Sequence, residues 1–361
     1  MRVRIPHLIF SGRRPVRAGR TRGITACIAA FMVGGAALES GCARPTPTLY
    51  ETLTLAYSHT PAPPTPQKTR PLETFSSIPS PRAFAYDPER DELLVGVRIG
   101  ESSSVETEAF VMRLDGEGRL LDPRYLDQIA PGEKLRDLRD LALSEDTLYV
   151  LESWRLLLFN RAGGELRRAI PIEGARALHA LTLGPNGEVY LADRGLRLGD
   201  RGFIPEESDA IYRVEPDGRV HTLAQGNELG RPSGIAFAED GLWIVSFATG
   251  ALYRLTDEGE VVDRQTLPAG SLDGIIALPD GRFAIGSWEA RGVLVGEKRG
   301  EFSVEIRGVE GPAAIAITKP VRDSNASRLF VALPLFDEVR VFEIESHAST
   351  LAAQSLSPDA E

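Results

Sequence analysis

Between Gly230 and Gly311 the apolar and polar positions repeat almost in phase. RPSGIAFAEDGLWIVSFATGALYRLTDEGEVVDRQTL (231–267) and SLDGIIALPDGRFAIGSWEARGVLVGEKRGEFSVEI (271–306) each hold four short apolar runs. The runs are parted by a polar Gly turn, a small-residue turn and a second Gly turn. Runs of this length between turn signals predict strands, and four of them recurring at one interval predict an antiparallel meander used as a repeat. A four-stranded meander repeated along a chain is the blade of a β-propeller.

The position at the head of the first run sets the phase. Ser233, Asp273 and Ala313 lie 40 residues apart, as do Arg139 and His179. The interval from His179 to Ser233 is longer, with the excess in 193–209, and that from Arg82 to Arg139 is longer because of 100–108 and the connection around DPRYLDQIAPGEK. Six blades follow, beginning near Arg82, Arg139, His179, Ser233, Asp273 and Ala313. ELLVGV, TLYVLES, EVYLAD, LWIVSF, RFAIGSW and RLFVALP fall at the second-strand position. The DGEG, RAGG, PDG and DEG turns after the third strands supply glycine where tight hairpins need positive φ. The last blade has three strands before the chain turns polar at Ser346. PLETFSSIPS (71–80) is therefore expected to supply its fourth strand against Glu338–Ile344 and close the ring, leaving no open edge. The expected fold class is all-β, a six-bladed propeller over residues 72–345, followed by a disordered tail over 346–361.

Composition changes the picture mainly at the N-terminus. Seven Arg and no acid occupy the first 23 residues, and ITACIAAFMVGGAAL (24–38) follows. That apolar stretch is too short to span a bilayer comfortably and suits a secretory signal. Glu39-Ser40-Gly41-Cys42 resembles the bacterial lipoprotein signature, with Glu39 standing where an aliphatic residue is usual. The reading is a signal peptide over 1–41, lipidation at Cys42 and a Pro/Thr-rich tether over 42–71, giving an exported protein of the cell envelope whose membrane contact is the anchor alone. The two cysteines are Cys27 and Cys42, so the propeller has no disulfide framework. Net charge is −10, and more negative once the basic leader is gone; with no basic stripe, nucleic-acid binding is excluded. Nothing in the pattern asks for a partner subunit, and a monomer is expected.

The six phase-setting residues converge on the central channel of such a ring. Arg82, Arg139, His179, Ser233 and Asp273 then form a polar mouth of net positive character, suited to a carboxylate, phosphate or uronic acid. The second strands end on the same face and add Glu152, Trp154, Asp193, Arg194, Ser246, Trp288 and Glu289. Trp154 and Trp288 can serve as flat platforms or as packing between blades, and the 193–209 insertion is expected to overhang the mouth. Arg82 and Arg139 free at the mouth would favour ligand binding; both paired would favour a plugged, structural channel. His179, Ser233 and Asp273 contain the residue types of a hydrolytic triad, but neighbouring blades present them side by side rather than in line.

RPSGIAF, LDGIIALPDGRFAIGSW and RLFVALPLFDEVRVFEI resemble the senescence-marker-protein (regucalcin)/gluconolactonase-like and NHL-repeat propellers. The resemblance covers 72–345 and is one of repeat grammar. It implies lactone hydrolysis with a divalent metal, such as calcium or zinc, held at the channel mouth by a Glu, two Asn and an Asp. Asp273 matches the Asp; the Glu position falls on Arg82 and the Asn positions on Ser233 and His179. An arginine repels a cation, so the departures speak against the metal hydrolase. The leading expectation is a binding scaffold for a small anionic or sugar-like ligand, or for an envelope protein. The alternatives are the metal-dependent lactonase and a non-catalytic structural envelope module.

Overall fold

The computed structural model describes residues 69–100, 107–162, 164–199, 202–320 and 326–346. The signal peptide, Cys42, most of the tether and the tail expected from the sequence lie outside them.

Six four-stranded antiparallel sheets form the molecule. Blade 1 runs Pro81–Asp87, Glu92–Ile99, Glu108–Asp115 and Leu120–Leu126; blade 2 runs Leu138–Leu143, Thr147–Glu152, Arg155–Asn160 and Leu166–Pro171. Blade 3 is Leu178–Leu183, Val189–Asp193, Ala210–Val214 and Val220–Gln225, and blade 4 is Pro232–Ala238, Gly241–Ser246, Ala251–Leu255 and Val261–Thr266. Blade 5 is Leu272–Ala277, Phe283–Ser287, Gly292–Gly296 and Phe302–Arg307. Blade 6 takes Ile315–Pro320, Ala326–Leu333 and Glu338–Glu345 from the C-terminal side and Glu73–Ser76 from the N-terminal side. Its register sets Glu73 against Val341 and Ser76 against Glu338, so the N-terminal strand closes the ring as the sequence predicts.

The first strand of each blade contacts the first strand of the next, and that of blade 6 contacts that of blade 1. Six first strands therefore surround one axis. The hydrophobic core is correspondingly divided into six clusters, one between each pair of neighbouring blades. Leu94 and Val111 of blade 1 meet Leu138, Val150 and Leu157 of blade 2, for example, and Trp243 and Leu252 of blade 4 meet Phe283 and Leu294 of blade 5. Alternation along a strand gives each sheet two faces, and in the inner three strands both are apolar because each has a neighbouring blade to cover. The outermost strands, such as Leu166–Pro171, are largely exposed and carry Arg and other polar residues. Gly118, Gly164, Gly218 and Gly259, in the turns after the third strands, all have positive φ, as those hairpins require.

Among the described residues, two short ladders stand outside the six blades. Gln128–Ala130 and Glu133–Lys134 pair as a small ladder in the connection between blades 1 and 2. Leu196–Gly199 and Gly202–Pro205 pair as a hairpin inserted in blade 3.

Candidate functional site

Each of the first five blades breaks register near the start of its inner strand. The shifts fall at Pro81/Ala83, Leu138/Asp140, Leu178/Ala180, Pro232/Gly234 and Leu272/Ile275. A bulge leaves one residue unpaired and re-aims its side chain. The residues so released are Arg82, Arg139, His179, Ser233 and, with Gly274, Asp273. The sequence phase puts these residues just ahead of the first strands; in the structure the strands begin one residue earlier and bulge at them. All five, with Ala313 of blade 6, line a channel cavity of about 400 Å³. The sequence-predicted ring is thus assembled in one place.

Asp273 is its most heavily bonded member. Arg194 Nη2 donates to Oδ1 at 2.9 Å, His179 Nε2 lies 3.0 Å from the same oxygen, and Trp288 Nε1 donates to Oδ2 at 3.2 Å. The carboxylate is 4% exposed, so these contacts form in a low dielectric where they are strong. Phe247, the aromatic residue in the blade 4 turn, braces the group: its ring stands edge-to-face to Trp288 at 6.2 Å and carries the Arg194 guanidinium at 5.0 Å. Burial, then the charge of Arg194, drives His179 down to about 4 against the pull of Asp273, so the imidazole is neutral at pH 7. Burial also lowers Arg194.

Arg139 is anchored differently. Its Nε donates to Ser153 Oγ at 2.7 Å and its Nη2 to Asp137 Oδ2 at 2.9 Å. Asp137 also accepts from Arg98 Nη1 at 2.8 Å and from Ser153 Oγ at 2.5 Å. One carboxylate thus serves two guanidiniums. Although burial works to raise it, Asp137 is held below its usual range by Arg139 and Arg98. Arg139 is pushed down to about 10 by burial and by repulsion from Arg98, with Asp137 opposing. Arg139 is therefore paired, contrary to the condition that the sequence reading set for ligand binding.

Asp140 is a channel residue that sequence reasoning missed. Its carboxylate accepts Leu141 N at 2.9 Å and Leu181 N at 2.8 Å, bridging blades 2 and 3. Burial raises it to about 7, with the Asp273 charge adding to the shift. Asp137, Asp140 and Arg139 sit together in RDLRDLAL, and the acids flanking the arginine were the available signal.

Other predicted members are committed elsewhere. Asp193 is fully buried and accepts the amides of Arg176, Ala177 and Gly195 at 2.6, 2.9 and 2.8 Å, so it caps the loop leading into blade 3 and is absent from the cavity lining. Burial nonetheless raises it. Glu289 is exposed and accepts Gly270 N at 2.7 Å, a loop contact away from the channel. Glu152 does the same work in blade 2, accepting Arg136 N at 3.1 Å and Arg155 Nε at 2.6 Å. Ser246 and Ser287 donate to Gly230 and Gly270 carbonyls, the latter at 2.7 Å. The end of the second strand is thus a loop-capping position in blades 2 to 5. Ser233 lines the cavity, but its hydroxyl lies 2.6 Å from Leu272 O and 3.1 Å from Val245 O and is satisfied there; no triad with His179 forms. Trp154 is exposed, with Arg155 over its ring at 5.5 Å. Trp288 serves as a donor to Asp273. The hairpin within 193–209 is tied at its base by Arg176–Glu206, and none of its described residues lines the cavity.

The metal implied by the resemblance does not fit this donor set. Asp273 has a guanidinium on one oxygen and an indole N–H on the other, and among the described residues no group of three or more His, Cys, Asp or Glu is placed to hold a metal ion. A divalent ion at Asp273 would meet Arg194 at contact distance.

No family model matches the chain. A virginiamycin B lyase of Nocardia farcinica is 30% identical over 125 residues, and the match spans 33% of this chain and 41% of that protein, less than half its length. Three solved structures show the fold. A gluconolactonase from Xanthomonas campestris has a TM-score of 0.52 at 17% identity, covering 79% of this chain and 99% of that one. A regucalcin from Agrobacterium tumefaciens, described as calcium-binding, has a TM-score of 0.54 at 16% identity, covering 78% and 96%. A virginiamycin B lyase from Staphylococcus aureus has a TM-score of 0.51 at 14% identity, covering 75% and 99%. The likeness to these structures shows the β-propeller fold; the count of six blades is this chain's own.

Proposed function

We propose that this propeller is an exported binding protein that takes a small anion at the mouth of its channel. One observation supports the reading above the rest. The ring of bulge residues in the channel cavity holds two guanidiniums, Arg82 and Arg139, a neutral imidazole and one carboxylate. That carboxylate, Asp273, is already matched by Arg194 from outside the ring. Asp140 lines the same layer and Asp137 holds Arg139, so the mouth gathers guanidinium N–H donors beside carboxylates, within low-dielectric walls that strengthen the bonds formed there. A planar carboxylate or a phosphate suits forked N–H donors there. The open cavity also argues against a plugged, purely structural channel.

Export and lipidation at Cys42 complete the proposal. They are supported by the Arg-rich start, the short apolar stretch and the small residues before the cysteine. Fatty-acid labelling of the wild type and of Cys42→Ser tests them, and label retained by the variant would refute the anchor. The binding reading is tested by thermal unfolding with simple carboxylates, phosphates and sugar acids. A ligand at a hundred times its Kd stabilises by about 2.7 kcal/mol. Such a shift in the wild type, lost in Arg139→Met, is expected; no shift with any anion would overturn the reading.

A further inference from the structure

We propose that the anion is amphipathic: a carboxylate on an alkyl or aryl body that extends into the channel. The inference rests on the anion-binding reading and names the class of ligand. The charge is confined to one layer of the cavity. Beyond the bulge residues the inner strands present Phe84, Leu143, Leu183, Ile235, Phe237 and Ile276 to the same space. Leu143, Leu183, Phe237 and Ile276 remain only partly buried, although they belong to the innermost strands of a tightly packed ring. Their uncovered surface faces a volume that no blade fills.

The polar side chains of that wall are few: Tyr86 and Thr182 beyond the bulge layer, Ser233 and Asp140 at it. Tyr86 donates its hydroxyl to Asp91 Oδ1 at 2.6 Å, Ser233 is bonded to main-chain carbonyls, and Asp140 accepts two amides. A sugar acid brings a hydroxyl on nearly every carbon, and each left without a partner costs free energy on entry. An alkyl or aryl body needs no partners there and displaces water that the aliphatic wall holds poorly. A cavity of about 400 Å³ is within the range that encloses a small organic ligand.

The face of the ring that carries the charged layer also bears exposed apolar side chains. Pairing of Leu138 with Glu152 and of Leu178 with Asp193 places the connections after the second strands on the face where the charged layer lies. Those connections carry Trp154, Ile204 and Phe336, three of the few large apolar side chains exposed among the described residues. The guanidinium layer and the aliphatic channel together complement a molecule with one anionic end.

The test is isothermal titration of the full-length protein with butanoate, hexanoate and octanoate, with glucuronate and 1-octanol as comparators. Each added methylene is expected to tighten Kd about threefold to fourfold. Octanoate should bind more tightly than glucuronate or octanol, and Ile276→Ser should flatten the dependence on chain length. Affinity independent of chain length, or glucuronate binding as well as octanoate, would overturn the inference while leaving the anion-binding reading in place. Octanol binding as tightly as octanoate would remove the carboxylate from the proposal. No saturable binding of any of the acids would overturn both.

Discussion

Closure of the ring by its N-terminal strand is open to a graded test. Glu73–Ser76 pairs with the last strand, and flanking bonds from Leu72 N to Val341 O at 2.8 Å and from Ile78 N to Asp337 O at 3.0 Å extend the seam. Ile78 is 5% exposed and packs in the cluster shared by blades 6 and 1, with Phe84, Phe110, Phe330 and Val339. Phe75 is half-buried on the same cluster, and Leu72 is 53% exposed. Truncating a buried Ile to Ala removes its transfer free energy and leaves a cavity, about 2–5 kcal/mol. The half-buried Phe75 has less to lose, about 1–2 kcal/mol by area, and Leu72→Ala should stay within roughly 0.5 kcal/mol. For a propeller of this size each kcal/mol moves Tm by about 2–4 °C, so Ile78→Ala should melt about 5–15 °C low. Urea unfolding monitored by tryptophan fluorescence gives the free energies directly. Deletion of 71–78 should exceed any single change, since it leaves blade 6 with three strands and an open edge. Ile78→Ala no more costly than Leu72→Ala, or a deletion variant with unchanged Tm, would refute the closure.

Three further outcomes follow from the channel. His179 and Asp140 should oppose each other in pH dependence. The imidazole is lowered from 6.5 to about 4, so acidification through that window favours the unfolded chain. The Asp140 carboxyl is raised from 3.8 to about 7, so there a rise in pH favours the unfolded chain. The effect amounts to roughly 3 kcal/mol for His179 and roughly 4 kcal/mol for Asp140. Relative to wild type, His179→Gln should gain stability as pH falls from 6.5 to 4, and Asp140→Asn should gain as pH rises from 4 to 7; equal slopes in denaturation series would refute both assignments. Arg194→Met should raise the His179 pKa, because the guanidinium repels the imidazolium; an unmoved titration in the NMR spectrum would contradict the Asp273-centred network. Asp193→Ala should cost about 3–5 kcal/mol by stranding three amides, and Asp193→Asn less, with anion binding unchanged in whatever remains folded.

Much of this architecture is legible in the sequence because a propeller is local. Five of the six blades are contiguous meanders, so a 40-residue period reports the blade count, and in those five the phase-setting residue falls on the bulge that turns it to the channel. The closing strand is legible too, since blade 6 visibly lacks one. What the sequence leaves open is which ring members find one another. His179 and Asp273 are 94 residues apart, and Arg98 and Asp137 are 39 apart and on different blades. Nothing in their local pattern specifies the side-chain reach that joins them. The same limit explains Asp193 and Glu289: they stand at the right end of the blade, but backbone amides one loop away claim their oxygens. It explains Phe247 as well, an aromatic in an unremarked turn whose role depends on Trp288 and Arg194 from other blades.

The claim that the channel mouth is an anion site is most directly settled by a crystal soaked with 4-bromobenzoate and measured at the bromine edge. The account predicts one anomalous peak inside the channel among Leu183, Phe237 and Ile276, with the carboxylate turned toward Arg82 and Arg139. Bromine found only elsewhere on the surface, or a carboxylate in the channel turned away from both arginines, would contradict it.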